Sequence, residues 1–545
     1  MVPAPAARDN AGQMVDMPSL EEFNALQQAL AEALKRNESL AGELRVTRTE
    51  RDLLKEQLSK FKRQLFAASS EVASQDQKDM FFNEAESLGA QAEPAAEEAA
   101  GDDDKIDVPG HQRAKRGRKP LDSALPREVV RHELPEDDRL CPHDGTALRE
   151  IGVEVSEQLD IVPQQVRVIR HERVKYACPC CDGGMRLAAR PAQVIPKGLF
   201  TENALAWIAT SKYLDGLPLY RQAALLGRFG GTDISRNTVA GSIVRVGQAV
   251  QPVINLLRDE LLESPLVFGD ETELQVLKEP GRNAQAKSYL WAQMTQSSGK
   301  DGTGPPIRLF GYSPSRSTKA ALELYAGIRP GAVLMTDGYD VYDAVADAHQ
   351  LVHLGCWAHC RRYFFDALKG LPKDKRGPDH LAAKFIALIA ALYKVEAQAK
   401  HDGTDAAELG RRRQQHSAPV LAEIEALLLA NLHAVLPASL LGKALHYLSS
   451  QWPKLKRYVE DGRYSIDNNA QENAIRPFCV GRRNWLFADT VAGANASANL
   501  YSLLQTCLVN GIDAYRYLRV LLLTLPKAQT ADEYAALLPW RLTMQ

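Results

Sequence analysis

Two short apolar runs in the middle of the chain each end in an aspartate: Pro265-Leu-Val-Phe-Gly-Asp270 and Ala332-Val-Leu-Met-Thr-Asp337. Runs of this length and composition, bounded by polar residues, read as buried strands. Residues 287–294, 306–312 and 351–355 share the pattern, and 317–325 reads as a helix. Strands of an α/β domain deliver their end residues to one edge, where ligands bind. Residues 264–366 therefore predict an α/β domain that brings Asp270 and Asp337 to the same place.

Two carboxylates held together repel unless a cation neutralises them. Mg²⁺ or Mn²⁺ suits the position, because Mg²⁺ takes a few carboxylates and leaves its other sites to water and phosphate oxygens. Holding a metal pair needs a third acid. Glu472 is the best candidate, in a capped helix start, Asp467-Asn-Asn-Ala-Gln-Glu472, with Arg476 one turn on along the same face. Carboxylate and guanidinium together suit phosphoryl transfer, in which two metals activate the attacking oxygen and stabilise the leaving one. Glu271, Glu273, Asp340 and Asp343 compete for the same role, and a strand-end aspartate is by itself usually structural. Three strands, a helix, then strand–helix–strand is the order expected of a ribonuclease-H-like domain. It would span 263–369 and 451–500, with a helical insertion at 370–450 and a helical tail at 501–545.

The N-terminal region reads as a long helix, with a coiled coil assigned to 19–68. With Leu30 at heptad position a, the a positions are Leu30, Asn37, Leu44, Arg51, Leu58 and Leu65, and d includes Leu26, Leu40 and Leu54. This spacing predicts a self-associating coiled coil and a homo-oligomer; the alternative is an amphipathic helix packed on its own chain. Residues 69–125 carry an acidic run beside a basic one and few large apolar residues, which predicts a disordered linker. Its Arg116, Arg118 and Lys119 either lie in a DNA minor groove or form a solvated basic stretch.

Residues 126–190 form a small β-rich unit. Three of the eight cysteines fall at 178–181, and Cys178 and Cys181 have the spacing of a zinc-binding pair; the alternative is a metal-free reduced cluster. Residues 195–262 are helical. A glycine turn at 230–231 followed by Ser235 as a cap and Arg236, Asn237 and Thr238 resembles a helix-turn-helix, against plain helical packing. Cys356, His359 and Cys360 either bind a metal or pack behind the acids, with His359 a possible contact to phosphate or the attacking water. Arg316, Lys319, Arg361, Arg362, Arg476, Arg482 and Arg483, with Trp485 and Phe487 close by, fit a DNA channel. The net charge of −2 makes the chain as a whole no polycation. Neither a bilayer-spanning apolar run nor a signal peptide is visible, which predicts a cytoplasmic protein with no membrane partner.

The motifs Asp270-Glu-Thr, Thr336-Asp-Gly-Tyr, Gly355-Cys-Trp-Ala-His-Cys-Arg-Arg, Asp467-Asn-Asn-Ala-Gln-Glu-Asn-Ala-Ile-Arg-Pro477 and Gly481-Arg-Arg-Asn-Trp-Leu-Phe487 together resemble the insertion sequence 66 family of transposases over nearly the whole chain. The resemblance implies a DDE triad at Asp270, Asp337 and Glu472. It also implies strand transfer on the element's terminal repeats, a helical insertion between the last two acids, and accessory proteins of the same element. It further implies two zinc-binding pairs. Asp144 stands where the second cysteine of the first pair belongs, leaving Cys141 and His143 with Cys178 and Cys181, and Cys180 as a spare thiol. Asn473 departs from the arginine usual directly after the glutamate. A DNA-binding regulator with a weakened catalytic domain, and a nuclease that never joins strands, are the competing readings.

Overall fold

The computed structural model describes residues 20–66, 166–177, 185–187, 191–230 and 234–543. Helix α1 (Leu20–Phe66) is 47 residues long, and its heptad leucines Leu30, Leu40, Leu44 and Leu54 are all more than half exposed. The expectations for 69–125, including Arg116, Arg118 and Lys119, lie outside the described residues. So do Cys141, His143, Cys178 and Cys181. Within the cysteine-rich unit a short antiparallel pair is described, β1 (Lys175–Ala177) with β2 (Met185–Leu187).

Four helices follow: α2 (Glu202–Tyr213), α3 (Leu219–Gly230), α4 (Arg236–Ala249) and α5 (Gln251–Leu262). Thr201 caps α2 and Ser235 caps α4, each accepting from a backbone N–H in the first turn. Buried Gln222 of α3 donates to the carbonyls of Ile208 and Leu217, locking α3 against α2. The apolar faces of these helices enter the same core as the sheet.

The sheet comprises β3 (Leu266–Lys278), β4 (Lys287–Thr295), β5 (Ile307–Ser313), β6 (Val333–Met335) and β7 (Val352–Leu354), in the order β5-β4-β3-β6-β7. β3, β4 and β5 are antiparallel neighbours, whereas β6 and β7 run parallel to β3. Helices α6 (Thr318–Leu324) and α7 (Val341–His349) flank β6 in sequence. Beyond β7 come α8 (Trp357–Gly370), α9 (Leu381–Asp402), α10 (Ala406–Arg412), α11 (Ala418–Asn431) and α12 (Leu440–Leu455). They build a second core from Trp357, Phe364, Phe385, Ile389, Ile424 and Leu448. That core begins on α8 and continues past α12 to Tyr458 and Ile466. A π-turn at Arg413–Ser417 buries Arg413, whose guanidinium is satisfied by Glu396 and the carbonyls of Tyr458 and Asp461.

The chain then returns to the sheet through α13 (Asn469–Trp485) and β8 (Ala488–Thr490), which pairs with the far half of β3. Helices α14 (Val491–Val509), α15 (Ala514–Thr524) and α16 (Ala531–Ala535) complete the fold. The segment after 501 is more than a peripheral tail. Ser502 and Thr506 of α14 accept from the backbone N–H groups of Phe310 and Arg308, covering the open edge of β5. The same helix presses so closely on α4 that a Cβ at Gly247 would collide with Ala496. Among the described residues no helix is long and apolar enough to cross a membrane.

Candidate active site

The register of β3 and β6 sets the two aspartates side by side. Phe268 lies opposite Met335 across the parallel pair, and Asp270 and Asp337 each follow by two residues. Asp337 lies in the turn two residues past β6. Asp270 is not the end of its strand, since β3 runs on to Lys278, and alternation puts it on the face of Phe268. That face carries a small core of Phe268, Met294, Met335, Leu354, Cys356 and Ala474. Ala474 belongs to α13, which packs on this face and carries Glu472.

Three hydrogen bonds seat the start of α13. The Asn468 side-chain amide donates to the carbonyl of Gly269 at 3.1 Å, and that of Gln471 to the carbonyl of Ala292 at 2.9 Å. The Asn468 N–H donates to Cys356 Sγ at 3.2 Å. Gly269 is required here for close approach, because a Cβ would meet the Tyr325 hydroxyl. Asp467, just ahead, accepts from Tyr393 of α9 at 2.8 Å, tying this junction to the second core.

The acids feel one another. Burial pushes the Asp270 carboxyl well above the usual carboxylate range, and Asp337, Glu271 and Glu472 raise it further. One Asp270 oxygen accepts from the Glu271 N–H at 2.8 Å, and one Asp337 oxygen from the Tyr339 N–H at 3.0 Å. Glu472 Oε1 is buried with no hydrogen-bond partner. It stands 3.5 Å from Arg362 and 3.6 Å from His359 Nε2. Burial and Arg362 hold the His359 pKa below its ordinary value, against the pull of Glu472 and Asp337. The balance favours the neutral ring.

This donor set fits a hard divalent cation in kind. It offers carboxylate oxygens only, one of them buried without a hydrogen bond, in a cluster whose mutual repulsion a cation would relieve. Among the described residues no three His, Cys, Asp or Glu side chains stand close enough to cage an ion as they are. Asp270 and Asp337 each rest an oxygen on a nearby backbone N–H.

The competing acids are engaged elsewhere. Glu273 pairs with Lys287 on the surface, Asp343 pairs with Lys454 and His353, and Asp340 is exposed. Glu271 is closest to the site, but Arg316 at 2.9 Å and the Tyr342 hydroxyl at 2.7 Å hold its carboxylate. Cys356 and Cys360 are packed in the two cores, and His359 leans its Nδ1 on Cys356 Sγ at 3.3 Å.

The basic residues have different neighbours. Arg362 reaches Glu472. Arg361 sits at the half-buried face of α8 near Phe365. Arg482 donates to Thr272 and to the carbonyl of Glu273, bracing β3. Arg476 lines a separate cleft of about 450 Å³ with Asn473, Asn484 and Gly216. Lys319 is exposed, one helical turn from Glu323. Arg483, Arg236 and Asn237 are exposed, the last two in the first turn of α4. Trp485 is not free to stack on a base, since Lys212 lies 4.9 Å over its ring and Phe478 packs edge-on at 5.4 Å. Phe487 is exposed.

Sequence reasoning singled out Arg316 and His359 but missed Lys443, His446 and Tyr447 beside them. A cleft of about 880 Å³ opens beside Asp337, lined in part by Arg316, His359, Lys443, His446 and Tyr447. Arg316 stacks on Tyr339 at 3.9 Å. Tyr447 and Lys443 sit on α12, over a hundred residues from Asp337, and no local pattern marks them.

Comparison with known proteins places this chain among transposases. Residues 197–496 match the family described as Transposase IS66 family, and the chain belongs to it. Residues 138–182 match the zinc-finger binding domain of transposase IS66, 53–130 a segment described as Transposase C of IS166 homeodomain, and 502–540 the IS66 C-terminal element. Among similar proteins are two uncharacterized proteins of Sinorhizobium fredii. One, y4qI, is 34% identical over 86% of this chain and 84% of its own. The other, y4jD, is 32% identical over 82% and 86%.

Proposed function

We propose that this transposase is a metal-dependent DNA strand transferase that cuts at the terminal repeats of its insertion sequence and joins the ends to target DNA. Asp270, Asp337 and Glu472 are its DDE acids. What supports this reading is that Asp337 and Glu472 both raise the pKa of buried Asp270, with Glu472 carried by the helix that packs on the Phe268 face of β3. The strand order, three antiparallel strands followed by two parallel ones, supports a ribonuclease-H-like catalytic domain interrupted by a helical unit.

Bound Mg²⁺ or Mn²⁺ would activate the attacking oxygen, first of water and then of a DNA 3′-hydroxyl, and stabilise the leaving one. The chain's own groups hold the acids and the DNA around that chemistry. Asn468 and Gln471 seat Glu472 against β3 and β4. Arg362 balances the charge of Glu472 and, with Arg361, offers guanidinium groups to phosphate. Neutral His359 can accept a proton at Nε2 beside Glu472.

Arg236 and Asn237 in the exposed first turn of α4, together with Arg476, Arg482 and Arg483, extend the DNA surface; Arg116, Arg118 and Lys119 add to it from the linker. Structural Zn²⁺ is held by Cys141, His143, Cys178 and Cys181. The exposed heptad leucines of α1 make a homo-oligomer that brings two ends together, with accessory proteins of the same element as further partners.

The test is labelled element-end DNA with Mg²⁺ or Mn²⁺, comparing the wild type with Asp337→Asn. Metal-dependent cleavage and joining by the wild type alone is expected. Equal products from both proteins would remove Asp337 from the mechanism. End binding without cleavage by either would favour a regulator, and cleavage without joining a nuclease.

A further inference from the structure

Helix α12 has two different faces. Ala444, Leu445, Leu448, Trp452 and Leu455 are buried in the second core. Tyr447, Gln451 and Lys454, at i, i+4 and i+7, form another stripe, and this stripe lies on the turn that carries Asp337. Two independent links join them. The Tyr447 hydroxyl donates to the backbone carbonyl of Asp337 at 2.6 Å. The next residue, Gly338, has φ +96°, and a Cβ there would lie 3.0 Å from both Gln451 and the Tyr447 hydroxyl. The helix therefore lies on the turn as closely as glycine permits.

The second link enters from the other side. Lys454 donates to both oxygens of Asp343 at 2.7 and 3.0 Å. Asp343 accepts from His353 Nδ1 at 2.8 Å, and His353 Nε2 lies 2.8 Å from the hydroxyl of Thr336. A carboxylate only accepts, so Nδ1 carries the proton and Nε2 accepts from Thr336. Thr336 is fully buried and directly precedes Asp337. Residues 336–338 are thus held at both ends by groups that depend on one helix.

We propose that α12 is the device that orients Asp337, with Tyr447 as its principal positioning residue and the Lys454–Asp343–His353–Thr336 chain as the second anchor. The inference rests on the reading of Asp337 as a metal-binding acid. A flexible glycine next to that acid makes the anchoring consequential. With the carbonyl released, rotation about residue 338 moves the carboxylate, and a displacement of about 1 Å can cost on the order of a hundredfold in rate.

The experiment uses the full chain. Mn²⁺ binding without DNA is followed by electron paramagnetic resonance, and cleavage of element-end DNA at saturating DNA is measured alongside. Tyr447→Phe keeps the ring that stacks on Tyr363 at 4.5 Å and removes only the hydroxyl. Its expected behaviour is unchanged affinity for end DNA, a nearly unchanged unfolding temperature, weaker Mn²⁺ binding by about tenfold, and cleavage slowed by about tenfold or more.

Wild-type Mn²⁺ affinity and rate in Tyr447→Phe, while Asp337→Asn loses both, would overturn the positioning role alone. Retention of both by Asp337→Asn would overturn the underlying reading of the site. A parallel loss of stability, DNA binding and rate in Tyr447→Phe would make the contact merely structural. Should that variant not fold, Lys454→Met carries the same comparison through the second anchor.

Discussion

The side-chain amide of Asn468 reaches across 199 residues of sequence to the carbonyl of Gly269, the residue before Asp270. The helix that carries Glu472 is thus tied by a hydrogen bond to the strand that carries Asp270. Asn468 is fully buried, so its loss leaves a backbone carbonyl unpaired, at a cost of about 1–3 kcal/mol. Asn468→Ala should lower the unfolding free energy by that amount and slow cleavage by at least tenfold, on the order of the rate lost when a reacting group is misplaced. Denaturant titration and the cleavage assay measure the two effects; a wild-type rate would show that Glu472 is placed by other contacts.

Asp270 predicts an unusual exchange of stability for activity. Burial and three neighbouring acids raise its folded-state pKa above 3.8. The folded chain therefore binds this proton more tightly than the unfolded one. Stability is lost as pH rises from about the unfolded value through the folded one. Asp270→Asn removes that loss. The metal-free variant should unfold at a higher temperature than the wild type at pH 7.5, and the difference should vanish towards pH 4, while cleavage is abolished. A variant less stable than the wild type at neutral pH would contradict the electrostatic account.

DNA contact by the first turn of α4 has a signature in salt dependence. Arg236 is exposed, so Arg236→Ala should leave the unfolding temperature within a degree or two. If its guanidinium neutralises one phosphate, the slope of log affinity against log salt should fall by about 0.9. An unchanged slope would make this helix pair a packing unit only.

Leu40 and Leu44 are more than half exposed in the single chain although they lie on the heptad seam. Leu40→Asp with Leu44→Asp should leave the folded core intact and convert the oligomer to a monomer, read by light scattering at micromolar concentration. A wild-type mass would place the self-association elsewhere.

The sequence by itself determined the strands of 264–366 and their order along the chain, because apolar runs and turn residues are local signals. It ended the first strand at Asp270, whereas β3 runs on to Lys278 through its pairing with β4 and β8, and Asp337 falls in the turn two residues past β6. The motifs that mark the family were equally legible, since they are short and contiguous. Glu472 was singled out by its motif, but the seating of its helix against β3 and β4 depends on Asn468 meeting Gly269 and Gln471 meeting Ala292. Those contacts exist only once α13 packs on the face of Phe268, Met335 and Leu354.

The tertiary structure alone decided which acids are taken by other partners, as Glu271 is by Arg316 and Asp343 by Lys454. It turned Trp485 from a free aromatic into the platform beneath Lys212. It also set α12 on the Asp337 turn and α14 along the edge of β5. The physical reason is the same throughout. Periodicity records which face of an element is buried, while the partner across that face is chosen by shape and hydrogen bonding between segments far apart in the chain.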